Sequence, residues 1–194
     1  MMADDDLSIK EKLSWAIWWA SPWKSAHEDW KSVDKYAALD SLYRNGVRLN
    51  INTADIAPCL PLAPTPTLIR LALAPHQQLD LALSLIHGTF NPAQGTSLNE
   101  DHRLWCMRLS RAIPTDMLVT SHDPLHMLRN WVDSAIWHRL RLRFPYERVV
   151  EAEKKILLEK RCSRFDTLWQ AFIWRATSLE NDTTDYDSNV QGGY

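Results

Sequence analysis

Glycine is scarce in this chain. Five glycines in 194 residues leave few positions for the positive-φ turns that β-hairpins depend on, which counts against a sandwich or barrel. Cysteine is scarce too, and odd in number. Cys59, Cys106 and Cys162 lie far apart with no C-x-x-C pair, which speaks against a disulfide framework or a zinc ribbon and for a reducing compartment. Neither sign of charge dominates: 22 Lys and Arg stand against 24 Asp and Glu, a formal net charge of -2. Nothing in that total favours nucleic acid or a membrane surface. No run approaches the ~20 apolar residues of a membrane span. The opening "MMADDDLSIKEK" is acidic and lacks an apolar segment, so it does not read as a signal peptide. A cytoplasmic protein is expected.

What the chain does have is tryptophan: ten of them, several-fold above common usage. With 45% hydrophobic and 24% charged residues, the balance is that of an ordinary globular protein. The length suits one domain, or one domain with tails.

Helical periodicity dominates. A first helix is expected over Leu7 to Ala20, with Leu13, Ile17 and Ala20 on its inner face and Trp15, Trp18 and Trp19 widening it. A second is expected from Pro22 to Asn45, with Trp23, Ala26, Trp30, Val33 and Ala37 as its stripe and Gly46 as C-cap. Then Pro58, Pro61, Pro64 and Pro66 fall within nine residues. No helix crosses such a stretch, which reads as an extended connector anchored by Ile56, Leu60 and Leu62. Helices follow on either side of Pro75, the second ending at Gly88 and apolar on most sides, hence central. Asn99 to Ile113 is expected as a helix with Trp105, Leu109 and Ala112 inward. One long helix should run from Ser121-x-x-Pro124 to Phe144, the residue before Pro145. A helix from Pro145 and a last one begun by Ser163 complete the set. The expected fold is all-α: a single irregular multi-helix domain. It divides into a tryptophan-rich region over 1–46, a Pro-rich connector over 47–66, a helical core over 67–177 and a disordered acidic tail over 178–194.

Candidate sites are few. In "IWHRLRLRFPYERVV", Arg139, Arg141 and Arg143 alternate with apolar residues. As helix-end cations they complement the macrodipole, and exchanging all three for Gln should cost no more than roughly 1–2 kcal/mol. As a surface cluster they could instead meet an acidic protein partner, or phosphate in a nucleic-acid-associated regulatory domain. Trp18, Trp19, Trp23 and Trp30 are hard to bury together, so some are expected to face a partner. His122 and His126 have the i, i+4 spacing of metal ligands, but Pro124 lies between them and no third ligand is evident. His87 reads as a helix-end residue and Cys106 as a buried thiol. An α-helical enzyme has only scattered histidines to support it.

Three segments carry a family resemblance. "LAPHQQLDLALSLIHG" (Leu73 to Gly88) is similar to the central helix ending in His-Gly of SctK/YscK proteins of bacterial type III secretion. "RLWCMRLSRAIP" (Arg103 to Pro114) is similar to their W-C-x-R-L-x-x-x-x-P segment. "RFDTLWQAFIWRA" resembles the Leu-Trp-rich last helix of some members. The resemblance covers Leu60 to Ala176. It implies a non-enzymatic, largely helical cytoplasmic adaptor of the injectisome sorting platform, without metal or cofactor and peripheral to the inner membrane through its partners. Those partners would be the cytoplasmic domain of the ring protein SctD, the pod protein SctQ and possibly SctL. The motifs are packing patterns, and they assign no functional residue.

Overall fold

The computed structural model describes residues 7–47, 56–92, 97–114, 123–157 and 163–178. Among the described residues every regular element is helical: ten α-helices and two short 3-10 helices, with no strand. The all-α expectation holds. No helix among them is long and apolar enough to cross a membrane.

The chain forms two compact units. The first combines Met1–Leu73 with Leu125–Arg161, the second Ala74–Pro124 with Cys162–Tyr194. This grouping cuts across the expected division, in which 67–177 made one core. Residues 125–157 join the N-terminal helices because long-range hydrogen bonds tie them there, described below. Of the expected tail, 179–194 lies outside the described residues.

In the first unit, α1 runs Ile9–Ala20. Ser8 caps it in a reciprocal box with Glu11, each side chain bonded to the other's backbone N–H, which satisfies two donors that a helix start leaves open. Its inner face is not the expected one. Trp15, Trp18 and Trp19 are buried, while Leu13, Ile17 and Ala20 are exposed. The two apolar stripes of this helix compete for the interior, and three indoles bury more area than two aliphatic side chains and an alanine.

The expected second helix is broken into a 3-10 turn at Pro22–Ser25, α2 at Glu28–Ser32 and α3 at Asp34–Arg44. The break before α2 is capped by the His27 side chain, which accepts from the Asp29 N–H. Val33, in extended conformation, separates α2 from α3. Trp23, Ala26, Trp30 and Tyr36 are buried, but Val33 is only half-buried and Ala37 is exposed. Gly46 follows the C-cap Asn45 with φ +74°, the left-handed conformation that glycine adopts without penalty.

Residues 56–65 form no regular element, as four prolines require. Ile56 anchors this strap in the core as expected. Leu60 and Leu62 do not: they are 88% and 39% exposed. The strap is held through its backbone. Trp15 Nε1 donates to the Leu62 carbonyl at 3.0 Å and Trp19 Nε1 to the Cys59 carbonyl at 3.1 Å. Prolines supply no N–H, so carbonyls here need donors from elsewhere. Helix α4 (Pro66–Leu73) then packs on α1.

The expected long helix is also divided. Helix α7 (Pro124–Trp131) stops where Asp133 caps α8 (Ser134–Leu140), its carboxylate accepting from the Ala135 N–H at 2.8 Å. A 3-10 turn at Arg141–Arg143 follows, and extended Phe144 ends it ahead of Pro145. Helix α9 is Tyr146–Lys154.

The second unit is built on α5 (His76–Phe90), which packs against both α6 (Glu100–Ala112) and α10 (Ser163–Thr177). It is central, as its all-round apolar character predicts. It runs past Gly88, which is buried within it. The Asn99 side chain caps α6 by accepting from the His102 N–H at 2.8 Å. The buried ridge of α6 is His102, Cys106 and Ile113; Trp105 and Leu109 are half-buried and Ala112 is exposed. In α10, where helical spacing predicts an inner face of Phe165, Leu168, Trp169, Phe172, Ile173 and Ala176, the last four are buried and Phe165 and Leu168 are half-buried.

Candidate functional site

The seven residues expected at a partner surface all belong to the first unit, and all are buried. Trp18, Trp19, Trp23 and Trp30 are at most 5% exposed. The three arginines are buried as well, Arg139 at 1%. The R-x-R-x-R stretch is therefore neither a phosphate-facing ribbon nor an open patch.

Each arginine goes to a different element. Arg139 donates from Nε to the Trp19 carbonyl at 3.2 Å and from Nη1 to the Ala135 carbonyl at 2.9 Å; Nη2 lies 3.5 Å from the Ala57 carbonyl in the strap. Its guanidinium sits 4.0 Å from the Trp19 ring centroid, where the ring quadrupole attracts a cation. Arg141 forms an ion pair with Glu153 of α9, at 3.1 and 3.3 Å to the two carboxylate oxygens. Arg143 donates from Nη1 to the Ala72 carbonyl in the last turn of α4. Burial pushes Arg139 and Arg143 below the usual arginine range.

A common logic emerges when Arg129 of α7 is added. Its Nη1 lies within 3.1 Å of the carbonyls of Ala152, Glu153 and Lys155, at the end of α9. The last carbonyls of a helix have no partner inside it, and a guanidinium fork supplies several donors with a favourable charge for that end. Arg139 serves the last turn of α1, Arg143 that of α4, and Arg129 that of α9. The three arginines are therefore not exposed cations at the end of their own helix: Arg139 and Arg143 reach the ends of other helices and Arg141 pairs with Glu153. The capped helix ends lie from 23 to 120 positions away in sequence.

The stretch also accepts. The His27 N–H donates to the Leu142 carbonyl at 2.7 Å, and Trp30 Nε1 to the Phe144 carbonyl at 2.8 Å. Glu153 takes a second bond, from Trp137 Nε1 at 2.8 Å. Trp15, Trp18 and Trp19 cluster with centroids 5.0 to 6.4 Å apart. Such an arrangement holds the elements of the first unit together.

Two other candidates, His126 and Cys106, are buried and hydrogen-bonded. His126 is buried, its Nε2 3.1 Å from the Ile156 carbonyl and 3.1 Å from Asn130 Nδ2. His122 lies outside the described residues, among which no group of His, Cys, Asp or Glu is arranged to hold a metal. In the second unit, Thr89 Oγ1 and Cys106 Sγ both donate to the Leu85 carbonyl, at 2.8 and 3.3 Å. Burial raises the Cys106 thiol above its ordinary pKa, so its thiolate is scarce. A thiol reagent is expected to modify exposed Cys59 within minutes and Cys106 only on unfolding. A Cys162→Ser background followed by mass spectrometry reads the two separately.

Two histidines are expected to make stability depend on pH. His102, facing Arg175 of α10 with its own neighbour Asp101 beside it, has its pKa lowered by burial first and by the Arg175 charge second. His138 is lowered by burial and then by Arg141, with Arg139 and Arg129 acting the same way and Glu153 opposing. Each folded pKa lies below the unfolded value, so between the two the unfolded chain binds more protons. Stability should be flat above about pH 7 and fall as acid passes through the ordinary histidine range near 6.5. Thermal melts from pH 7.5 to 5 should show this slope, and His138→Gln should flatten it. An unchanged slope would exclude His138 as a source.

Comparison with protein-family models, with curated proteins and with solved structures returned no match.

Proposed function

We propose that this chain is a non-enzymatic adaptor of a bacterial type III secretion sorting platform. In this role it links the cytoplasmic domain of an SctD-like ring protein to an SctQ-like pod protein, and lies in the cytoplasm peripheral to the inner membrane. One observation carries the reading. The three segments that resemble SctK/YscK proteins are the whole helical framework of the second unit: Leu73 to Gly88 supplies most of α5, Arg103 to Pro114 most of α6, and the "RFDTLWQAFIWRA" segment α10, with α5 in contact with both others. That segments up to ~100 residues apart in the sequence pack into one unit supports the reading.

The nucleic-acid alternative relied on Arg139, Arg141 and Arg143 meeting phosphate. Their burial among carbonyls and Glu153 withdraws the feature on which it rested. The test is capture of purified SctD-like cytoplasmic domain and SctQ-like protein by the tagged chain. Binding of both supports the adaptor reading. Failure to bind either, or salt-dependent binding to generic duplex DNA in their place, would overturn it.

A further inference from the structure

The strap that precedes α4 has a period of its own. In "APCLPLAP" (Ala57 to Pro64) an apolar residue is followed by proline three times, at Ala57-Pro58, Leu60-Pro61 and Ala63-Pro64, one pair every three residues. Proline fixes its own φ near −65°, and the residue before a proline is pushed to extended backbone. Six of the eight residues are restrained in this way. The two that are not, Cys59 and Leu62, are the two whose carbonyls accept from Trp19 and Trp15. The segment runs with neither turn nor bend. Ring stereochemistry and the two indole bonds thus favour one conformation, the left-handed polyproline helix with three residues per turn. Such a helix has three edges. The Cys59 and Leu62 carbonyls, one turn apart, are held by α1, and the apolar-proline pairs recur on the other two edges at steps of roughly 9 Å. Every residue from Ala57 to Ala63 is exposed, Leu60 at 88%, and Pro64 is half-buried.

We infer that the strap is a docking ligand for a proline-recognising domain, one whose groove is lined by aromatic side chains spaced to take successive apolar-proline pairs. P-x-x-P segments are read in that way because a preformed polyproline helix loses little entropy when it enters such a groove. Here the folded protein does the preforming. A strap tethered at two carbonyls one turn apart has less order left to gain than a free peptide of the same sequence. The pattern P-x-x-P-x-x-P over Pro58, Pro61 and Pro64 offers the motif in two overlapping registers. A stiff connector alone would need the prolines but not an apolar residue before each of them, and Leu60 adds nothing to the core of its unit. This inference does not depend on the adaptor reading, and its test uses neither of the proteins proposed there.

The intact chain is titrated against a panel of purified SH3-type domains, beside a synthetic peptide of residues 56–65. At least one domain should bind the chain, and bind it about fivefold or more tightly than the peptide. Leu60→Ser should weaken that binding by about tenfold or more without lowering the melting temperature, because the side chain is exposed. Pro61→Ala, which loses the ring at the centre of the motif, should weaken it as well. No binding by any domain of the panel, or binding unchanged by Leu60→Ser, would overturn the inference. Binding of the peptide but not of the intact chain would do the same, since the folded strap would then not be presented. A sedimenting dimer that Leu60→Ser dissolves would also overturn it, by assigning the exposed edge to a second copy of the chain.

Discussion

Arg139→Gln is expected to destabilise the first unit by about 3–5 kcal/mol, read as a shift of its urea transition followed by tryptophan fluorescence. The sum has identifiable parts. The Trp19 carbonyl at the end of α1 loses its donor, and an orphaned buried group costs ~1–3 kcal/mol. The stacked guanidinium 4.0 Å from the Trp19 centroid is lost, and a desolvated cation on an indole contributes up to ~2 kcal/mol. A shorter side chain also leaves unfilled volume in a fully buried site. The relief of an expensive buried charge offsets part of this. The outcome differs sharply from the small cost expected for helix-end cations in solvent. Lys10→Gln, an exposed cation on α1, is the control and should stay within about 0.5 kcal/mol. Arg139→Lys should recover little, because an ammonium has no planar fork to span separate carbonyls. A loss of under about 0.5 kcal/mol for Arg139→Gln would mean that the carbonyl network does not form.

The same residue marks the limit of what the sequence makes legible. Signals that act within a few residues were readable. Phe144 stops before Pro145, Asn99 opens α6, Gly46 closes α3, and α5 is central because it is apolar all round. Breaks set by single caps were not. Periodicity runs straight through Val33 and Asp133, yet the chain turns at both. Face assignment failed at α1, where two apolar stripes both satisfy helical spacing and only side-chain volume distinguishes them. The destinations of the arginines were illegible for a different reason. A guanidinium that caps a helix 120 residues away leaves no local pattern, and alternation with leucine looks the same whether the cations face water or carbonyls. The tryptophan strap contacts were hidden likewise: the acceptors are backbone carbonyls, which every residue has.

Trp30 is the second point where a single change should have a large effect. It is 1% exposed and stands edge-on to two tyrosines, 4.9 Å from Tyr146 at 87° and 5.4 Å from Tyr36 at 60°. Its indole N–H reaches the Phe144 carbonyl at 2.8 Å, so it joins α2 to the turn that leads into α9. Trp30→Ala removes the ring contacts, the hydrogen bond and the volume together, and should cost about 3–5 kcal/mol. Trp30→Phe keeps much of the volume and should cost about 1–3 kcal/mol, chiefly for the carbonyl left without its donor. Trp18→Phe separates the two contributions. Trp18 is equally part of an aromatic cluster, but its buried Nε1 has no hydrogen-bond partner among the described residues. Removing an unsatisfied donor relieves a desolvation cost, so Trp18→Phe should be milder than Trp30→Phe despite the same loss of ring area. Urea transitions of the three variants give the order. If Trp18→Phe proved as costly as Trp30→Phe, ring packing alone would account for both, and the bond to Phe144 would contribute nothing measurable to joining α2 with the arginine turn.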